Sequence, residues 1–396
     1  MARGNKAKLL INNFLKKLGY RVEKEKNEKI NFLCSFSHQK IGKTKIFLEA
    51  GLTENLKKYQ IITHDRRYSR HVLITDENVD AVAGDLVERQ LKRGGFLITK
   101  FVVPAGESSK SMKIYESLAE QIVALGIDEQ SVVIAVGGGV VANLSGFLAS
   151  TLYRGIDLVH IPTTIMNMAD VSISLKQGIN SKRGKNLVGN YHQPLAVFID
   201  PQISIPDHLV RDGLSEVIKH AICQDKDFFD YLLDYGGPLN DLDFRTHIIQ
   251  KTIALKLKVM EEDMYEKKRG MILQYGHEVG HAVEFLSGMT LTHGQGIAIG
   301  MTASARLARF KGIADKSIVA LHEKIFKKYG LPTAIPSGFS IDSIVESLRY
   351  NKKTKEGDIY MVLPKSIGAV WTANGEYGIP CSPETIKKAL IQSNEI

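Results

Sequence analysis

At 396 residues, with 44% hydrophobic and 24% charged side chains, the chain exceeds one ordinary core and reads as a soluble globular protein of two domains. Its three cysteines, Cys34, Cys223 and Cys381, stand far apart, which excludes a disulfide framework or a thiolate metal site and points to a reducing, cytoplasmic setting. A net charge of +9 suits anionic small molecules, whereas a nucleic-acid partner lacks an arginine-aromatic stripe and a membrane span lacks any apolar run of roughly eighteen residues.

In residues 1–29, lysines including Lys6, Lys8, Lys16 and Lys17 surround Leu9, Leu10, Phe14, Leu15 and Leu18, a pattern that predicts an amphipathic helix and then a charged linker. Residues 1–40 are therefore expected to be a basic extension packed on the body. From about residue 70 apolar β-branched runs alternate with helical stretches: strand 70–75, helix 79–93, strand 96–103, helix 110–125, strand 131–136, helix 140–152, then strands 157–161 and 196–199. Such alternation predicts an α/β domain, a parallel sheet with helices on both faces, over residues 41–205. Residues 206–396 turn mostly helical, with long stretches at 208–233, 243–285 and 293–312. A turn over 288–292 brings His293 back toward the preceding helix.

Gln274-Tyr275-Gly276-His277-Glu278-Val279-Gly280-His281 carries the strongest chemical signal. Two histidines four apart on a helix project from one face toward a shared ion. The five residues from His277 match H-E-x-x-H, but Ser287 stands where an extended protease motif needs its third histidine. A metalloprotease and a structural histidine pair are the weaker readings. Glu216, early in a helix of the second domain, offers a carboxylate that with His277 and His293 makes a Glu-His-His site.

Val136-Gly137-Gly138-Gly139, between a buried strand and a helix, is where backbone amides can meet a pyrophosphate. Asp76, at the end of the first strand, is a candidate ribose partner, and Thr163 and Thr164 close another strand at the edge where open α/β sheets bind ligands. The stretch from Asp170 through Lys176, Lys185 and Asn186 to Gly189 reads as a polar loop lining a cleft.

In order and spacing these segments, with Tyr153-Arg154-Gly155 and Glu262 to Lys268, resemble the dehydroquinate synthase-like sugar phosphate cyclases over roughly residues 70–375. The resemblance implies a Rossmann-like NAD-binding domain followed by a helical metal domain, and a homodimer. It implies zinc or cobalt on Glu216, His277 and His293, with His281 a polar neighbour. NAD contacts fall on Asp76, Glu107, Lys110, Gly138, Gly139, Asn143, Thr163 and Thr164. Substrate contacts fall on Asp170, Lys185, Asn186 and Lys256, with Arg154 and Lys352 near the phosphate, while Lys176, Lys219, Gln274 and His281 take catalytic roles.

Asn143 and Gln177 stand where the inosose-forming members of that family have the same residues, so the implied reaction is conversion of glucose 6-phosphate to 2-deoxy-scyllo-inosose with loss of phosphate, a step of aminocyclitol antibiotic biosynthesis. Gln274 departs from both subgroups, which carry glutamate or asparagine there. A 3-dehydroquinate synthase and a sedoheptulose 7-phosphate cyclase stay open as alternatives, as does a metal-dependent alcohol dehydrogenase of similar build.

Overall fold

The β-branched runs fold as strands because their side chains can be buried on both faces of a sheet, and β4 (His71–Asp76) and β6 (Val132–Gly137) are buried at every position. The computed structural model describes residues 22–23, 30–35, 43–58, 68–182, 184–288, 290–349, 354–355 and 358–391. The described residues form two units, one running to Pro206 with Leu242–Gln250 added, the other comprising Asp207–Asp241 and the chain from Lys251.

In the first unit β1 (Val22–Glu23), β2 (Ile30–Ser35), β3 (Lys43–Leu48), β4, β5 (Ile98–Val103), β6, β7 (Asp157–Pro162) and, after a separate hairpin of β8 (Lys176–Ser181) with β9 (Gly184–Tyr191), β10 (Ala196–Ile199) are met in turn. Eight of them pair in the order β1-β2-β3-β10-β7-β6-β4-β5. From β3 to β5 the six strands are parallel; β1 and β2 add antiparallel pairs at one edge. Between strands run α1 (Asp85–Arg93), α2 (Met112–Ala124), α3 (Gly139–Thr151) and the short α4 (Ile165–Ala169). Val72 and Ile74 pack with Leu118, Ile122, Val141 and Leu148, whereas Leu73 packs with Val87 and Leu91, so alternate residues of β4 feed cores on opposite faces. This is the α/β parallel sheet that the alternation implies.

Two features differ from the sequence reading. β1 and β2 fall inside the stretch read as a basic extension; the rest of the amphipathic helix expected over residues 1–29 lies outside the described residues. The polar stretch read as a loop contains the β8–β9 hairpin, in which Gly178 and Gly189 lie opposite one another. A Cβ at Gly189 would come within 2.2 Å of the Gln177 carbonyl, so the two backbones approach closer than side chains allow.

The second unit is built on α5 (Asp207–Gln224), α6 (Lys226–Asp234), the later part of α7 (Leu242–Asp263), α8 (His277–Leu286), α9 (His293–Phe310), α10 (Ser317–Lys328), α11 (Ile341–Arg349) and α12 (Pro383–Ile391), with small sheets from residues 354–381. The helix expected over 208–233 breaks at Asp225, whose carboxylate caps α6 by accepting from the Phe228 amide at 2.9 Å. The stretch 243–285 breaks more widely, into a 3₁₀ segment Arg269–Gln274 and α8, with Gly276 at φ 80° between them. Only glycine takes that left-handed value without strain. The core joins Val279 and Val283 of α8 to Ile299, Ala303 and Leu307 of α9, and to Ile344, Leu348 and Leu390.

Candidate active site

In the second unit the candidate metal ligands meet where three helices bring their chemistry together. Glu216 and Lys219 lie one turn apart on α5, both with side chains about 2% exposed, and they form an ion pair. Lys219 also donates to the Leu273 carbonyl at 2.9 Å. Nε2 of His277 and Nε2 of His293 each lie 3.5 Å from Glu216 Oε1. The Nδ1 atoms face acceptors instead: His277 Nδ1 is 3.2 Å from the Tyr275 carbonyl and His293 Nδ1 is 3.3 Å from Glu284 Oε2. Of each ring's two acceptor contacts only the one at Nδ1 has hydrogen-bond geometry, which favours the hydrogen on Nδ1 and leaves Nε2 to a cation. Burial holds His277 well below its usual pKa, more than the opposing Glu216 charge raises it, so its ring is neutral at pH 7. Two imidazole lone pairs and a carboxylate oxygen converging on one point suit a divalent cation of zinc or cobalt character.

His281 stands in the same group: donor atoms of His277, His281 and His293 all lie within 4.8 Å of one another. Glu278, which completes the protease-like motif, is 1% exposed, and its charge adds to burial in raising the pKa of Tyr275 and Cys381. Gln274 Nε2 donates to Glu266 Oε2 at 2.5 Å. Lys256 is buried on α7.

Why His277 and His293 sit together is a matter of helix packing. Each opens its helix, α8 and α9, and the two helices cross on glycines. A Cβ at Gly300 would lie 1.9 Å from the Gly276 carbonyl, and one at Gly280 would lie 2.8 Å from the Gly296 carbonyl. Thr292 caps α9 through the Gln295 amide, and the side chain of Gln295 returns the bond to the Thr292 amide at 3.0 Å. Asp212 on α5 accepts from the Gly294 amide at 2.9 Å and from the Thr292 hydroxyl.

In the first unit the candidates gather at the carboxyl edge of the sheet. The strand order turns back on itself between β4 and β6, since β5 lies on one side of that pair and β7 and β10 on the other. Nucleotides bind open α/β sheets at such a switch point. Asp76 ends β4 and Gly138-Gly139 follow β6, so the two fall on either side of it. Asp76 Oδ1 accepts from the amides of Asn78 and Val79 at 2.9 and 3.1 Å, and its pKa is raised because burial outweighs those bonds. Gly138 is extended and α3 begins at Gly139, leaving first-turn amides directed outward. The Thr163 amide donates to the Gly137 carbonyl, and Thr163 Oγ1 is buried with no hydrogen-bond partner among the described residues. Thr164 caps α4 by accepting from the Asn167 amide at 3.2 Å. Helix-end amides, a carboxylate and an orphaned hydroxyl at one switch point fit a dinucleotide such as NAD.

The hairpin completes this edge. Lys110 Nζ donates to Asn186 Oδ1 at 2.6 Å, Asn180 donates to Glu107 Oε1 at 2.7 Å, and Lys185 Nζ lies 3.3 Å from the same oxygen. Asn186 itself has φ 54°. The structure thus joins Glu107, Lys110, Lys185 and Asn186, and adds Asn180, which the sequence reading did not single out. Asn143 is half-buried on α3, and Asp170 and Lys176 lie after α4 and at the start of β8. Arg154 does not join them: it is exposed, at φ 67°, just beyond the C-terminal end of α3. Thirteen helical residues separate that end from Gly138, roughly 20 Å. Lys352 lies outside the described residues. Glu284 was missed as well, although its spacing from His277 and His281, at positions i, i+4 and i+7, places all three on one helix face.

Comparison with known proteins identifies the family and the fold. The family model for the 3-dehydroquinate synthase N-terminal region matches residues 100–210, and that for its C-terminal region matches residues 213–354. The 3-dehydroquinate synthase of Prochlorococcus marinus strain AS9601 is 35% identical over 333 residues, covering 82% of this chain and 91% of the relative. That of Desulforamulus reducens is 38% identical over 304 residues, covering 76% and 85%. A crystal structure of 2-deoxy-scyllo-inosose synthase with carbaglucose-6-phosphate, NAD+ and Co2+ superposes with TM-score 0.82 at 28% identity, covering 91% of this chain and 99% of that one. By both family models and by these relatives, the chain belongs to the 3-dehydroquinate synthase family.

Proposed function

We propose that the protein is a phosphate-eliminating cyclase that closes a seven-carbon keto-acid phosphate to 3-dehydroquinate, using NAD and one divalent cation. The observation that carries the cyclase reading is the convergence of His277 Nε2, His293 Nε2 and Glu216 Oε1. The curated relatives at 35% and 38% identity, both named 3-dehydroquinate synthase, support the product. They weigh against the expected glucose 6-phosphate substrate. That substrate remains the second reading, on Asn143, Gln177 and the likeness to a 2-deoxy-scyllo-inosose synthase.

When bound, NAD supplies a reversible hydride acceptor and the cation a Lewis acid for the substrate's oxygen. The chain's own residues do the remainder. Glu216, His277 and His293 hold the cation; Asp76, Glu107, Lys110, Gly138, Gly139, Asn143, Thr163 and Thr164 hold NAD. Lys185, Asn186 and Lys256, with Asp170, orient the anionic substrate. Lys219 stabilises charge beside Glu216, His281 serves as a proton carrier beside the cation ligands, and Lys176 and Gln274 complete the catalytic set. A cyclase of this kind would show no net consumption of NAD.

The test is phosphate release by the purified protein with NAD and zinc or cobalt, offering the keto-acid phosphate, glucose 6-phosphate and sedoheptulose 7-phosphate separately. Release from the keto-acid phosphate without net NADH is the expected result. Release from glucose 6-phosphate alone moves the assignment to inosose formation, and steady NADH accumulation from a plain alcohol would sink the cyclase reading in favour of a dehydrogenase.

A further inference from the structure

The geometry points to Glu284 as a positioning residue that fixes the tautomer and ring orientation of His293 and thereby sets the affinity of the cation site. The inference rests on the metal reading above and deepens it. Glu284 is 3% exposed on α8 and its Oε2 lies 3.3 Å from His293 Nδ1, across the α8–α9 crossing. Both ring nitrogens of His293 face carboxylates, but only the Glu284 contact has hydrogen-bond geometry, so Glu284 favours the Nδ1–H tautomer of the neutral ring. Nε2 is then left with its lone pair toward Glu216 Oε1 at 3.5 Å.

The two histidines differ in what holds them. His277 gives its Nδ1 hydrogen to a main-chain carbonyl, that of Tyr275, which no substitution removes. His293 gives its own to a side chain, and its ring is more open, with 25% of the side chain exposed against 14% for His277. A partly exposed ring on a helix's first residue has rotameric freedom that the carboxylate restricts. A carboxylate acceptor also makes the opposite nitrogen a stronger donor to a cation. Nothing in this role requires Glu284 to touch substrate or cofactor.

The experiment uses the full chain in three forms: wild type, Glu284→Gln, which keeps an oxygen acceptor at nearly the same size, and Glu284→Ala. Zinc affinity is read by competition with a chromophoric chelator, the cobalt-loaded protein by its ligand-field absorption, and the His293 tautomer by ¹⁵N resonances of the metal-free imidazole. Zinc affinity should fall on the order of 10–100-fold in Glu284→Ala, with a changed cobalt spectrum, and by less in Glu284→Gln. Wild-type His293 should show the Nδ1–H form, and Glu284→Ala should lose that preference. Unchanged zinc affinity in Glu284→Ala overturns the proposal. So does an Nε2–H tautomer at His293 in the wild type, a measurement that stands even where the alanine variant does not fold. A wild type that takes up neither zinc nor cobalt instead removes the metal reading itself, which separates the two failures.

Discussion

Asp76 shows how a single buried carboxylate links binding to pH. Its Oδ1 is occupied by the Asn78 and Val79 amides, and burial still raises its pKa above the ordinary value. For an acid whose folded pKa is raised, the folded state binds the proton more tightly. Its stabilising contribution is therefore present below the unfolded value of about 3.9 and is lost as pH rises through the folded value. Ribose hydroxyls need the opposite form, since they donate best to an ionised carboxylate. NAD affinity should accordingly weaken as pH falls through the raised pKa of Asp76, while stability gains slightly over the same window. Asp76→Asn should bind NAD roughly tenfold more weakly, the equivalent of one charged hydrogen bond of about 1.5 kcal/mol, and should lose the pH dependence. Fluorescence titration of NAD between pH 4 and pH 8 tests it; a flat wild-type profile would remove Asp76 from the ribose site. The residue was legible in sequence because a carboxylate ending a buried strand is a recognisable signal. Its raised pKa was not, since that depends on how deeply the sheet edge is covered.

Among the elements, the α8–α9 crossing does most to make the site. Gly276, Gly280, Gly296 and Gly300 let main chains come within reach of one another, and His277 and His293 are held by that closeness. Gly300→Ala should destabilise the protein by at least about 1–3 kcal/mol, since the methyl would meet the Gly276 carbonyl and the Gly280 amide, which are backbone and cannot swing away. Because Gly276 precedes His277, the strain should also loosen the histidine pair, so zinc affinity should fall together with the thermal midpoint. A variant that loses stability but keeps full zinc affinity would show that the crossing supports the fold without setting the ligands. The helices and parallel strands were readable from apolar periodicity, whereas spacing pointed only to the histidines and the pairing with Glu216 was what the family resemblance implied. The β8–β9 hairpin was not, because Lys176-Gln177-Gly178-Ile179-Asn180 lacks the alternation and β-branched content of a strand and pairs through close glycine contacts between the two strands. The breaks at Asp225 and Gly276 were missed for a related reason: apolar residues continue on either side, and only the cap and the left-handed φ stop the helix.

At the scale of the molecule, the second unit folds with charge in its interior. Glu216 and Lys219 are both nearly inaccessible, Lys256 is buried, and His277 and His293 each bring Nε2 within 3.5 Å of the Glu216 carboxylate. Desolvation of such groups works against folding, and an ion pair recovers only part of that penalty. A divalent cation at the three donor atoms binds the folded chain far better than the unfolded one, so it should raise stability by RT ln(1 + [M]/Kd), about 4 kcal/mol at a thousandfold excess over Kd. Calorimetry should therefore give a higher unfolding midpoint with zinc or cobalt than with a strong chelator, and the rise should grow with the logarithm of metal concentration. His293→Ala, which removes one donor but little core, should unfold at the same temperature with metal or chelator. If the wild type itself unfolds identically in zinc and in chelator, the buried charges are balanced by protein groups alone and the cation has no place among Glu216, His277 and His293. A logarithmic rise in the wild type that disappears in His293→Ala would instead tie the stability of this unit to the atoms proposed to hold its catalytic cation.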